Sequence, residues 1–278
     1  MAVSTANSIF VIMSKEIRDA QRNRWFMAFA LVFTGLALGL STLGLSGVGT
    51  FGIAGFGRTV ASLINLVVVI VPLMGLLLGA ISISGERERG SLIGLLAQPI
   101  TPVELLVGKF LGMMVSLTAA ILVGYGLSGI VIAWYGGLAK ISSYFALVTL
   151  TLLIGCVHLS IGFCISIASP KSTMALSLAI ILWLGIVFVS DLGLIGMTLV
   201  LRLSPQILLF LTLINPAQLF KLASIEAIQG SLEILGAAGI YAEEIFGNWL
   251  STVLIFFLII WILIPMVISI VMFRERNI

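Results

Sequence analysis

Long apolar runs without a charged side chain dominate this sequence. Five of them, and a sixth that stops before Asp191, are each long enough for the roughly 20 residues that a helix needs to cross a bilayer. Inside a bilayer the backbone must satisfy its own hydrogen bonds, which favours helices. The sequence therefore predicts an all-α integral membrane protein with six transmembrane helices. The predicted spans are residues 25–45, 59–83, 103–135, 144–168, 174–190 and 249–273.

Composition supports this interpretation, and the placement of charge gives it an orientation. The chain is 60% hydrophobic and 9% charged, whereas soluble domains are about 25% charged. With the N-terminus inside, all but four of the 14 lysine and arginine residues fall on the inner side. The four exceptions are Arg58, Lys140, Arg202 and Lys221. Because inner loops carry an excess of basic residues, we predict a multi-pass protein of the inner (cytoplasmic) membrane with both termini in the cytoplasm.

Residues 1–24 precede the first span. Apolar and charged positions alternate there with helical spacing, which predicts an amphipathic helix in the membrane interface with its basic face towards lipid phosphates. An ordinary solvated helix is the alternative. The candidate residues of this interfacial helix are Lys15, Glu16, Arg18 and Arg22.

The connection between the last two spans, about 191–248, contains two apolar segments that are too short to cross. Such segments in a membrane protein form re-entrant or interfacial helices. Asn215-Pro216 predicts a turn between them, and Phe220 and Tyr241 are amphipathic anchors of the kind that dominate interfaces. We therefore predict that this outer segment docks a partner, through Asn215, Pro216, Phe220 and Tyr241.

Three pairs of glycines recur at the spacing that lets helix backbones approach closely. These pairs are Gly35–Gly39, Gly75–Gly79 and Gly108–Gly112. They are compatible with a dimer interface and with packing inside one protomer.

The chain lacks the common signatures of catalysis and metal binding. Gly108-Lys109 is not a phosphate-binding loop, because Val103 and Phe110 occupy the positions of its first glycine and its hydroxyl residue. Cys156, His158 and Cys164 cannot converge on one ion when they lie on one helix. We expect no catalytic residue, no metal site and no bound cofactor. Mid-span charges, which ion-coupled carriers normally need, are also missing.

The most distinctive segment is GERERGSLIGLLAQPITPVELLVGK, residues 85–109. It predicts a short helix at about 90–98 with one apolar face, ended by Gln98-Pro99 because a residue before proline avoids helical geometry. Thr101-Pro102-Val103-Glu104 predicts a capping box that starts the next helix. A stiff elbow would then join the short helix to a span, whereas a helix merely resting on lipid is the alternative.

This segment closely resembles the signature loop of the ABC type-2 permeases. In that family the short helix is the coupling helix, which docks into a groove of a separate ATPase subunit. The resemblance implies an N-terminal interfacial helix at 1–24 and a six-span permease domain at 25–278. The coupling residues that it implies are Glu86, Arg89, Gly90, Ser91, Leu92, Leu95, Gln98, Pro99, Pro102 and Lys109.

Residues 15–25, 213–222 and 234–244 resemble one branch of that family, which serves copper-site assembly in nitrous-oxide reductase. The resemblance implies a non-catalytic subunit that couples ATP hydrolysis to transport or to mechanical work on the periplasmic side. ATP and Mg²⁺ would be bound by the partner ATPase. The implied partners are a second copy of the chain, the cytosolic ATPase, a periplasmic protein, a copper chaperone and the bilayer, with no nucleic acid. Export of a lipid-like or drug-like substrate, ion-coupled transport and a passive membrane anchor are the alternatives.

Overall fold

The computed structural model describes residues 5–46, 53–98, 100–136, 141–189, 193, 203–228 and 232–275, and all regular structure in these ranges is helical. Twelve α-helices are described there, with a π-helical turn at Gly185–Val189 and short 3-10 turns at Leu232–Leu235 and Gly247–Trp249. The helices are α1 (Thr5–Arg22), α2 (Arg24–Ser46), α3 (Ile53–Ala80), α4 (Ser84–Glu88), α5 (Ser91–Leu96), α6 (Pro102–Gly136), α7 (Ile141–Ala168), α8 (Ser172–Leu184), α9 (Pro205–Ile214), α10 (Pro216–Ala227), α11 (Ala237–Phe246) and α12 (Leu250–Glu275).

Six helices of the described chain are long and apolar enough to cross a membrane. They are α2, α3, α6, α7, α8 with its π-helical turn, and α12, each at a predicted span. The six-span prediction is therefore confirmed. Helix α1 is separate from α2, since Asn23 lies between them and its side chain accepts hydrogen bonds from the backbone of Trp25 and Phe26.

Helices α3 and α7 form the centre of the bundle and are more buried than the other spans. Glycines bring their backbones together: a Cβ added at Gly79 would lie 2.5 Å from the Leu159 carbonyl oxygen, and one added at Gly75 would lie 2.7 Å from that of Gly155. The Gly75–Gly79 pair therefore packs inside the protomer. Around Gly35 and Gly39 there is open space.

Helices α9 and α10 meet at a bend of 107°. The predicted turn at Asn215-Pro216 is confirmed, because the Asn215 side chain accepts hydrogen bonds from the backbone of Ala217 and Gln218 at the start of α10. Trp261 donates to the Leu213 carbonyl oxygen at 3.4 Å. At about 1.5 Å per residue, Trp261 lies about 16 Å along α12. Helices α9 and α10 thus form a hairpin, and the bend between them lies deep in the bundle, as in a re-entrant segment.

Candidate functional site

One end of the bundle gathers most of the described charges. We call it the charged end; it comprises α1, α4, α5, the start of α6 and the turn between α7 and α8. The 85–109 segment lies here, and α5 is shorter than predicted, since it covers Ser91–Leu96. Gly90 has a φ of 71°, which a side chain would strain, and it turns the chain between α4 and α5.

The predicted capping box at the start of α6 is confirmed. The Thr101 backbone N–H donates to Glu104 Oε2 at 2.7 Å, and the Glu104 N–H donates to Thr101 Oγ1 at 3.2 Å. These reciprocal bonds satisfy two N–H groups that have no partner within the helix. Pro102 is the first residue of α6. The capping box and Pro102 thus define the start of α6, which is one half of the predicted elbow. Pro99, the other half, lies outside the described residues.

A buried ion cluster connects α1, α4 and α6. Lys109 Nζ lies 2.6 Å from Glu16 Oε1 and 3.0 Å from Glu86 Oε1, and its side chain is only 1% exposed. Lys15 Nζ lies 2.6 Å from Glu86 Oε1. Burial disfavours the charged form of Lys15, but the hydrogen bond and the attraction of Glu86 outweigh it and raise its pKa. The cluster therefore holds α1 and α4 against α6.

This cluster corrects two expectations about residue roles. Glu86 and Lys109 were predicted to contact an ATPase, yet both side chains are buried and paired within the protomer. Glu16 was predicted on an interfacial surface, yet it is buried against α6, whereas Arg18 and Arg22 are exposed as expected. The burial of these carboxylates could not be predicted from sequence periodicity, because a glutamate is assigned to the surface unless its buried lysine partner is known.

Helix α1 crosses α6 at the Gly108–Gly112 pair. A Cβ added at Gly112 would lie 2.7 Å from both the Glu16 Cβ and the Met13 carbonyl oxygen, and one at Gly108 would lie 2.9 Å from the Ile12 Cβ. The third glycine pair therefore also packs inside the protomer. Buried Ile12, Glu16 and Ala20 repeat every four residues along the face that meets α6.

The remaining charges of α4 tie it to the turn between α7 and α8. Arg87 donates to the Ser169 carbonyl oxygen at 2.7 Å, near the C-terminus of α7. Glu88 accepts from the backbone N–H of Ser172 at 3.1 Å and from its hydroxyl, at the N-terminus of α8. A cation at a helix C-terminus and an anion at an N-terminus are both favourable. Of the four charged side chains from Glu86 to Arg89, only that of Arg89 forms no ion pair or hydrogen bond with a described residue.

The orientation of α5 follows from this anchoring. Leu92 is 1% exposed and packs into the core, Leu95 is half-buried, and Ile93 is 70% exposed. Of Leu92 and Leu95, either of which was expected to face a partner, Leu92 therefore lies inside the protomer, and sequence reasoning missed Ile93 as the outward apolar residue. Gly90, Ser91 and Gln98 are exposed beside it. An exposed apolar side chain on a rigidly held short helix is suited to docking into a hydrophobic groove.

The predicted outer docking residues mostly serve the fold. Phe220 is fully buried, so it cannot be a docking anchor, and Pro216 is buried as well. The side chain of Asn215 donates to the Ile186 carbonyl oxygen at 3.1 Å and so connects the bend between α9 and α10 to the π-helical turn that follows α8. Tyr241 is half-buried on α11. Of the four, Tyr241 retains the most suitable position for an external contact.

The cysteine and histidine side chains of α7 do not assemble a metal site. His158 is buried, and its Nδ1 lies 2.9 Å from the Ile154 carbonyl oxygen. In the described part of the chain, no three His, Cys, Asp or Glu side chains are arranged to hold a metal ion.

Six apolar helices long enough to span a bilayer, with a charged loop anchored at one end of the bundle, define a multi-pass membrane protein. A family model described as "ABC-2 family transporter protein" matches residues 10–278, and the chain belongs to this ABC-2 transporter family. Within it, the chain is 30% identical to "Probable ABC transporter permease protein NosY" of Stutzerimonas stutzeri, over 97% of this chain and 99% of the relative. It is 32% identical to the protein of the same description from Pseudomonas aeruginosa, over 80% of this chain and 83% of the relative.

Proposed function

We propose that this ABC-2 permease is the membrane subunit of an ATP-driven transporter, and that a separate cytosolic ATPase docks on α5. The observation that carries the proposal is the exposure of Ile93 on a loop in which Glu86, Arg87 and Glu88 are each bonded to other helices or to the turn between α7 and α8. Glu86 connects the loop to α1 and α6, and Arg87 and Glu88 connect it to α7 and α8. A force applied at Ile93 would therefore reach the ends of several spans at once.

The charged end faces the cytoplasm in this proposal, with both termini inside and the chain in the inner membrane. The support is the excess of lysine and arginine on that side. Lys140 and Arg202, two of the four outer basic residues, lie outside the described residues.

In this proposal the transporter serves copper-site maturation of nitrous-oxide reductase on the periplasmic side. The support is the similarity to relatives described as NosY over nearly the whole chain. The partners in this proposal are a second copy of the chain, a NosF-like ATPase that binds ATP and Mg²⁺, a periplasmic NosD-like protein and a NosL-like copper chaperone. Among the described residues no three His, Cys, Asp or Glu side chains are arranged to hold a metal ion, which supports transmission of motion more than conduction of the ion.

The test is deletion of the gene in a host that makes nitrous-oxide reductase, with the copper content of the purified reductase as the readout. Wild-type chain and Ile93→Leu should restore copper loading, because both keep an apolar side chain at the tip of α5. Ile93→Asp should not, although the protein reaches the membrane in normal amount. Copper loading that survives deletion of the gene would contradict the maturation role.

A second candidate is export of an apolar or lipid-like molecule. It is favoured by an apolar cavity of about 720 Å³ between α7, α8, the α9–α10 hairpin and α12. Filling this cavity with Ile264→Trp should then block export without affecting copper loading.

A further inference from the structure

A polar cavity of about 530 Å³ lies at the charged end, between α1, the end of α3, α4 and α6. Its volume is within the range of small-molecule sites, about 300–1,000 Å³. Acidic and basic side chains balance along its wall: Glu16, Asp19 and Glu86 against Arg22, Arg89 and Lys109. Lys15, which does not line the wall, pairs with all three of these carboxylates. The wall thus presents separated charges of both signs, an arrangement that can hold the two ends of a zwitterion.

The charges in this wall are unequally satisfied. Lys109 is paired with both Glu16 and Glu86, whereas Arg22 and Arg89 form no ion pair with any described residue. These two guanidinium groups are therefore available to a phosphate, which they bind well because of their planar arrays of donors.

Glu86 provides an acceptor for the ammonium group of a zwitterion. Its Oε1 accepts from Lys15 and lies beside Lys109, but its Oε2 is buried without a hydrogen-bond donor in the described part of the chain. The hydroxyl of Ser82, also in the cavity wall, is likewise without a partner among those residues. A buried acceptor left without a donor is destabilising. Because the terminal torsion of a glutamate is soft, the carboxylate can turn towards a donor that enters the cavity.

An apolar groove of about 380 Å³ continues from this cavity between α2, α3 and α8. Asn23, Leu78 and Ile81 line both, so the polar and apolar spaces meet there. Phe29 and Ile180 are among the side chains that line the groove further on. A polar cavity that opens into an apolar groove on a membrane protein is suited to an amphiphile.

We propose that this composite site binds one phosphatidylethanolamine molecule of the bilayer. Its phosphate lies near Arg22 and Arg89, its primary ammonium points to Glu86 and Asp19, and one acyl chain follows the groove past Ile180. Phosphatidylcholine has no N–H donor for Glu86, and phosphatidylglycerol brings no cation for the acidic side chains. The bound lipid joins α1, α4 and α8 beside the loop, and this role is independent of which ATPase or cargo the transporter uses.

The headgroup is tested by native mass spectrometry of the full-length chain, purified and stripped of lipid, with three phospholipids of identical acyl chains. We expect phosphatidylethanolamine to bind at least about tenfold more tightly than phosphatidylcholine or phosphatidylglycerol. Asp19→Asn should remove most of this preference, because Asp19 lines the cavity and faces the ammonium in the proposal. Arg18→Gln should not, because Arg18 is exposed on the same helix and does not line the cavity. Equal binding of the three lipids, or equal effects of the two variants, would overturn the proposal.

The groove is tested with a second matched pair. Ile180→Trp fills the groove and should weaken phosphatidylethanolamine binding about tenfold. Ile181→Trp adds the same bulk on an exposed position that does not line the groove, and it should bind like wild type. Circular dichroism of both variants checks that they fold. Free phosphoethanolamine should bind far more weakly than the lipid; if it binds equally, the site takes a soluble zwitterion and the lipid assignment is wrong.

Discussion

Lys109 joins three elements of the charged end through one ammonium group. It is 1% exposed and lies within 3.0 Å of carboxylate oxygens from α1 and α4. A charge in such surroundings is tolerated only while it is paired, because desolvation is expensive for an isolated ion. The docking of α1 and the position of the coupling loop therefore depend on the same residue.

Replacing Lys109 by Met should lower the free energy of unfolding by about 3–5 kcal/mol, because it leaves the buried carboxylates of Glu16 and Glu86 with the half-exposed Lys15 as their remaining partner. Denaturant unfolding in detergent, followed by tryptophan fluorescence, measures this change. Arg18→Met is the control, since Arg18 is exposed and should change stability by less than about 0.5 kcal/mol. Lys109→Met combined with Glu16→Gln and Glu86→Gln should recover much of the loss. If Lys109→Met unfolds like Arg18→Met, the cluster does not hold the charged end together.

Among the elements, α1 is positioned by close contact as well as by charge. Its backbone approaches α6 at Gly108 and Gly112, where a side chain would collide with Ile12, Met13 or Glu16. The helix is thus part of the bundle packing, and its exposed apolar residues Phe10 and Val11 remain available to lipid.

Gly112→Leu should separate α1 from α6 and make the α1 backbone more accessible, because the added side chain occupies the contact with Met13 and Glu16. Limited trypsin digestion in detergent, with cleavage after Arg18 or Arg22 as the readout, should be markedly faster. Gly126→Leu is the matched control on the same helix, since nothing lies within 4 Å of a Cβ added there. Equal cleavage rates in the two variants would show that α1 does not depend on this contact.

Features that depend on local chemistry could be predicted from the sequence. The Thr101–Glu104 capping box and the Asn215-Pro216 turn each follow from a few neighbouring residues, and the six spans follow from apolar length. The direction in which α5 faces could not be predicted, because Leu92 and Ile93 are equally apolar and only the tertiary anchoring of α4 distinguishes them. Phe220 was assigned to a surface for a similar reason: a short apolar segment does not reveal that α7 and α12 cover it.

An ATPase can dock on α5 only if the charged end of the molecule faces the cytoplasm. A reporter that is active only in the cytoplasm should be active when fused after Ile278, and one that is active only outside should be active when inserted near Ser231. Both follow from the excess of basic residues on the N-terminal side. The reverse activity pattern would place α5 on the wrong side for an ATPase.

We propose that an ATPase docks on the exposed face of α5 and moves the bundle through the anchored loop. The most direct test is the affinity of the purified partner ATPase for this chain in nanodiscs, compared between wild type, Ile93→Leu and Ile93→Asp. The aspartate would place an unpaired charge in the docking groove, an error of several kcal/mol, so affinity should fall at least about a hundredfold. Ile93→Leu should bind within a fewfold of wild type. Normal affinity of the Ile93→Asp chain would contradict the claim, because α5 would then lie against lipid instead of the ATPase.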